Sequence, residues 1–267
     1  MVGGPQPHGK EFPMNNRIPT APTATLAVTV AMTLAASLAA PLAAQTAAPV
    51  LPDFAAADFA APKTNPYFPL EQGVSHTLQG TRVDDPSVVE HGVLTVFGPG
   101  PEILGVATTT VLDEAFEAGI LVERTFDYYA ADAAGNVWYF GEDVTNYRYD
   151  DAGKLVGTDN HSAWRAGVHD AKPGISVSGQ PQVGLTLFQE HAPADEAMDY
   201  SEILAVDLEV TGPAGTFHNV MKTYEASTVD PGLREYKYYA PGVGMIRADE
   251  ELSETFDKPM IVIELQP

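Results

Sequence analysis

The sequence predicts an all-β protein built as a strongly curved antiparallel sheet or β-barrel of roughly ten strands. Three observations carry that prediction. Beyond about residue 65, runs rich in Val, Thr, Tyr and Phe recur, punctuated by Gly, Pro or Asp clusters. Sustained helical periodicity is almost absent over the same stretch. Two near-copies of one turn, Asp132-Ala-Ala-Gly-Asn136 and Asp150-Asp-Ala-Gly-Lys154, fit a three-residue hairpin loop closed by a left-handed glycine. Strands are expected at about 73–81, 88–97, 103–113, 119–131, 136–149, 155–165, 183–191, 199–210, 215–227, 233–240, 243–250 and 259–265. A flat sheet of that width would expose long edges, so it must curl or close.

Taken in order, the chain opens on a targeting segment. Arg17 precedes a run rich in Ala, Leu, Val and Thr from Thr25 to Ala40, and Pro41-Leu-Ala-Ala44 reads as a cleavage site before Gln45. That is the layout of a secretory signal peptide, with Met14 as the natural start. The run is short for a membrane span, and the absence of cysteine at the cleavage site argues against a lipid anchor. Residues 1–44 are thus expected to be an N-terminal extension and signal peptide. Residues 45–64, rich in Ala and Pro, are expected to be a flexible leader, and 65–267 a single all-β domain. The expected location is periplasmic or secreted, with no stable membrane insertion after cleavage. With no cysteines the core must carry stability without disulfides.

Acidic residues outnumber basic ones 36 to 14, a net charge of −22. A surface so negative repels phosphate backbones, which argues against nucleic acid as a partner. It is compatible with solubility, or with cation binding. No Gly-rich phosphate loop, Gly-x-Ser-x-Gly elbow or His-Glu-x-x-His pair occurs. Val168–Gln182 reads as a long loop, and Ala192–Met198 as room for a short helical turn.

The Leu121–Arg165 meander holds the candidate site. The two turns pair Asp132 with Asn136 and Asp150 with Lys154. Alternation then puts Phe126, Tyr128, Trp138, Phe140 and Trp164 on one face. The other face collects Glu123, Asp127, Tyr129, Tyr139, Asp143, His161 and Arg165. The extrapolated register sets Asp127 opposite Gly141, Asp143 opposite His161, and Tyr139 opposite Arg165. A carboxylate that orients an imidazole makes a general base, so Asp143 and His161 form the expected acid–base pair. Arg165 and Tyr139 would hold an anion or an oxyanion, and Glu123 or Asp127 would be the second acid–base group. The same Asp143, His161 and Glu123 could ligate a divalent cation, the one cofactor considered, with His169, His191, Glu190 and Asp159 nearby. Loop carboxylates Asp195, Glu196 and Asp199 are a softer calcium set. Trp138, Trp164, Tyr128 and Phe140 would line an apolar ligand cup, or else form plain core. A one-residue bulge near Gly141 would exchange Asp143 for Glu142 on the polar face.

The motifs Tyr129-Ala-Ala-Asp-Ala-Ala-Gly-Asn-Val-Trp-Tyr-Phe-Gly-Glu-Asp143 and Glu235-Tyr-Lys-Tyr-Tyr-Ala-Pro-Gly-Val-Gly244, with Asn65-Pro-Tyr-Phe-Pro-Leu70, resemble a widespread group of uncharacterised secreted bacterial proteins. The Tyr-Ala-Pro-Gly-Val-Gly segment is also similar to exported domains related to periplasmic half-barrel carriers that cup acyl chains. That resemblance implies a fold and transfers no catalytic residue. The expected function is therefore binding of a small molecule or acyl chain in the concavity, as curled sheets make cups. Two alternatives stand beside it: an exported acid–base lyase or hydrolase using the Asp–His pair, and a cation-binding surface or structural protein.

Overall fold

The structure, a computed structural model, describes residues 48–256 and 258–267. The extension and signal peptide, with the first three residues of the leader, lie outside the described residues. The described residues form fifteen strands, more than the ten expected. The first seven are β1 (Ser75–Arg82), β2 (Val89–Ile103), β3 (Val106–Glu117), β4 (Ile120–Ala131), β5 (Val137–Tyr149), β6 (Leu155–Asp159) and β7 (Trp164–Arg165). There follow β8 (Lys172–Val177), β9 (Thr186–Phe188), β10 (Glu190–His191), β11 (Asp199–Gly212), β12 (Gly215–Ser227), β13 (Arg234–Ala240), β14 (Gly244–Glu250) and β15 (Ile261–Leu265). Among the described residues helix is confined to one 3-10 turn, Ala56–Phe59, and none is long and apolar enough to cross a membrane.

All named pairings are antiparallel, in the order β10-β8-β5-β4-β3-β2-β1-β15-β14-β13-β12-β11-β9, with β6 and β7 also on β5. The two ends of this order are neighbours in sequence. Thr186–Glu202 pairing holds β9 on β11, while two residues later Glu190 faces Pro173 on β8. One segment therefore bonds to both edges of the sheet and all but closes it into a barrel. Gly174 permits the approach, because a Cβ there would collide with the Phe188 carbonyl.

Both hairpin tips form as expected: the Asp132 and Asp150 amides donate to the Asn136 and Lys154 carbonyls at 2.9 and 3.0 Å. The closing glycines, Gly135 and Gly153, have φ of 85° and 72°. The expected register holds near the tips, with Tyr129 opposite Tyr139 and Tyr149 opposite Leu155, and then slips. A bulge at Gly141 (φ 129°) sets Asp127 opposite Glu142 and Phe126 opposite Asp143. Further shifts, and a turn at Asn160–Ala163, bring Trp164 opposite Glu142 and Arg165 opposite Gly141. Asp143 thus does not oppose His161, Asp127 does not oppose Gly141, and Tyr139 faces Gly174 rather than Arg165.

Three further expectations are corrected. The stretch 155–165 is two strands, not one. The Val168–Gln182 loop contains β8, whose Pro173 and Gly174 mask a strand buried at Pro173, Gly174, Ile175 and Val177. Ala192–Met198 is a turn bridged between Ala192 and Ala197, without helix.

Alternation from the observed register puts two kinds of surface on the barrel wall. Outside, Trp138 and Phe140 are covered by Phe54 and Phe59, with ring centroids 5.6–5.9 Å apart. Residues 48–64, read from composition as a leader, are thus packed across the barrel, and Val50 bridges to Leu187. Inside, one end is apolar, with Leu78, Ala248 and Ile263 buried together. Carboxyl-bearing side chains line much of the remainder, beside a second apolar cluster of Val137, Ile203, Met221 and Tyr239.

Candidate functional site

The polar interior is a chamber of about 230 Å³. Asp113 on β3, Asp127 on β4, Glu142 on β5, Glu190 on β10, Asp199 on β11 and Glu225 on β12 all reach its wall. Lys237 on β13 is the one cation on that wall. Each carboxyl is there because its strand alternates inward at that position, and six different strands contribute.

Lys237 sits between two glutamates, its Nζ 3.1 Å from Glu225 and 3.0 Å from Glu235. Burial alone would lower its pKa, but Glu225 and Glu235 outweigh that and hold it well above the usual lysine value. Glu225 is saturated with partners: Thr223 and Tyr239 hydroxyls donate at 2.9 and 3.1 Å, and Gln189 Nε2 at 3.3 Å. The opposite wall is different. Asp127 is only 7 % exposed, and the Tyr139 hydroxyl, at 2.6 Å from Oδ1, is its one hydrogen-bond donor among the described residues. Its Oδ2 has no partner on a wall it shares with Asp113 and Glu142.

Burial is the main electrostatic cause throughout, with carboxyl–carboxyl repulsion second. Asp127 is pushed up to about 8 by burial and by Asp113, against the Tyr139 hydrogen bond. Glu142 is raised well above the ordinary range by burial, then by Asp127 and Glu190. Glu190 rises to about 8 through burial and Asp199, and Asp113 to about 6 through burial and Glu123. At neutral pH Asp127 and Glu190 therefore hold protons, which a bound cation would displace. Aromatic rings frame it: Tyr129 and Tyr139 stack with centroids 4.7 Å apart, and Phe68 tilts against Tyr129 at 4.9 Å.

Of the residues singled out from sequence, Asp127, Tyr129, Tyr139, Glu190 and Asp199 meet in the chamber. The bulge sends Asp143 outside instead. There it accepts from Arg165 Nη2 at 2.7 Å and from the Tyr128 hydroxyl at 2.7 Å, with Arg165 over the Tyr128 ring. His161 lies exposed in the turn before β7, its amide donating to Asp159. Glu123 is exposed and accepts from the Thr125 hydroxyl at 3.2 Å. Trp138 donates to Asp132 at 2.8 Å and packs with Phe140 under the 48–64 segment, away from the chamber. Trp164 turns inward edge-on to Tyr139. His169 pairs with Asp195 at 3.1 Å on the surface, and His191 packs on Phe188. Among the described residues, no group of three His, Asp or Glu side chains is arranged to hold a metal ion.

Sequence reasoning named Glu142 only as the outcome of a bulge at Gly141, and passed over Asp113, Glu225 and Lys237. A signal existed for the last: Glu235 and Lys237 alternate with Tyr236 and Tyr238, so the two charges share one face of β13.

No family model and no curated protein matches the chain, so no family assignment stands behind the resemblance of the Tyr129–Asp143 and Glu235–Gly244 motifs. Two solved structures are similar in outline. One is a candidate exported protein with a YmcC-like fold from Bacteroides fragilis NCTC 9343 (15% identical, TM-score 0.37, covering 75% of this chain and 97% of that one). The other is a candidate lipoprotein from Parabacteroides distasonis ATCC 8503 (14% identical, TM-score 0.38, covering 76% and 98%). Both scores are too low for either likeness to bear on this chain's function.

Proposed function

We propose that this protein is exported and binds a small, positively charged molecule inside its barrel. The observation that carries the reading is the imbalance on the chamber wall: six carboxyl groups and one ammonium around about 230 Å³. Unpaired carboxylates in a poorly solvated space are costly, and only protons or a cation relieve them. The volume lies below the ~300–1,000 Å³ of drug-sized pockets, which limits the guest to roughly eight non-hydrogen atoms at about 30 Å³ each. An acyl chain suits this interior poorly, because its apolar cavity is only about 50 Å³. Export is supported by the signal-peptide layout of residues 17–45.

Native mass spectrometry of protein from an exporting bacterial host, compared with its denatured mass, tests the reading. A small basic guest lost on denaturation is the expected result. A lipid-sized guest would overturn it.

Asp127 favours one second reading, acid–base catalysis. It is held protonated near neutrality opposite Glu142, and such a pair can exchange a proton with a guest. A guest recovered chemically unchanged after prolonged incubation supports binding alone; a converted guest supports catalysis.

A further inference from the structure

Two cavities meet inside the barrel. The acidic chamber and the apolar pocket of about 50 Å³ share Phe68, Leu94, Val111 and Met245 as common wall. Beyond that wall the apolar pocket continues to Leu78 and Val96, and His76 is its one ionisable neighbour. Burial lowers the His76 pKa, so the apolar end carries no charge at neutral pH. The interior is therefore graded, with unpaired carboxyl oxygens at one end and hydrocarbon at the other.

The chamber also contains an internal example of what it accommodates. The Lys237 ammonium is held by two carboxylates, Glu225 and Glu235, at 3.1 and 3.0 Å. Asp127, Asp113 and Glu142 have no such ammonium, although Asp127 presents Oδ2 without a partner from a side chain more than nine-tenths buried.

Resting on the reading of the chamber as a cation site, we infer that its ligand is a primary amine with a short aliphatic tail. The ammonium group lies against Asp127 and Glu142, and the tail passes Leu94 and Val111 into the apolar pocket. That pocket admits one or two methylene-sized groups, since a water molecule's share of liquid volume is about 30 Å³. Phe68 also lines an outer cleft of about 830 Å³, so it borders both the interior and the surface.

The test is calorimetric titration of the purified protein at pH 8 with ammonium, methylamine, ethylamine, propylamine and butylamine. Butanol, butyrate and calcium serve as controls. Affinity should rise about fourfold per methylene while the tail is being buried, then level off or fall once the pocket is full. Butanol and butyrate should not bind, and calcium should not compete. Val111→Thr should flatten the chain-length dependence while amines still bind, and Asp127→Asn should abolish amine binding at every length. Amines that bind as ammonium does, whatever their length, or calcium that competes equally, would overturn the inference and leave the cation site standing. Butanol or butyrate binding as well as butylamine would overturn both, as would no binding by any amine. The wild-type series decides the matter even if a variant fails to fold.

Discussion

The chamber makes an unusual prediction about acid. Asp127 is pushed up to about 8 in the folded protein, against about 4 for an unfolded aspartate. Between those values the folded protein holds a proton that the unfolded chain has released. Stability therefore falls as pH rises through the window from about 4 to 8, and is flat above it. One such group is worth about 1.4 kcal/mol per pH unit inside the window, so about 2–3 kcal/mol between pH 5 and 7. Glu190 and Glu250, also pushed up to about 8, add in the same direction. Asp127→Asn keeps an acceptor for the Tyr139 hydroxyl and removes the titration. Urea unfolding at pH 5 and pH 7 should show a wild type that is more stable at pH 5. The variant should lose on the order of 2 kcal/mol of that difference, mainly by gaining stability at pH 7. A wild type that gains stability from pH 5 to 7, or a variant with the same pH dependence as wild type, would refute the argument that a buried, protonated carboxyl lies on this wall.

The remaining predictions concern the frame around the chamber. Gly141→Ala places a Cβ against the Trp164 carbonyl at a positive φ and should cost about 1–3 kcal/mol in denaturant unfolding. Lys237→Met strands Glu225 and Glu235 without their ammonium. It should cost about 3–5 kcal/mol at pH 8, and measurably less at pH 5, where carboxyls take up protons. Phe59→Ala uncovers Trp138 and Phe140, and should cost about 2 kcal/mol and open the 48–64 segment to limited proteolysis. His161→Ala, at an exposed turn position, should shift neither the melting temperature nor guest binding.

Local chemistry was legible along much of the chain. The Asp132 side chain is satisfied within the turn and by Trp138: Oδ1 accepts from the Ala134 and Asn136 amides at 2.8 Å, and Oδ2 accepts from Asn136 Nδ2 and Trp138 Nε1. Because such a turn is closed by near neighbours, a few letters specify it. The long strands were legible for the same reason, since alternation and turn residues are local. β8 was not, because Pro173 and Gly174 break the local pattern, and its place depends on β5 and β10, which flank it.

The face of the meander that would be inside was undecided in the sequence, as was the identity of the residues on it. The bulge at Gly141 moves one residue and thereby trades Asp143 for Glu142, because side chains alternate with a period of two. Nothing within Tyr139–Asp143 alone demands that bulge; it is set by the approach of Trp164 and Arg165 from a later strand. Likewise Asp113, Asp127, Glu142 and Lys237 are scattered over more than a hundred residues of sequence. The sequence by itself determined the all-β class, the turn chemistry and the excess of negative charge. Only closure of the sheet decided that part of this charge faces inward, since facing positions on distant strands become neighbours only when the two edges of the sheet meet at Thr186–His191.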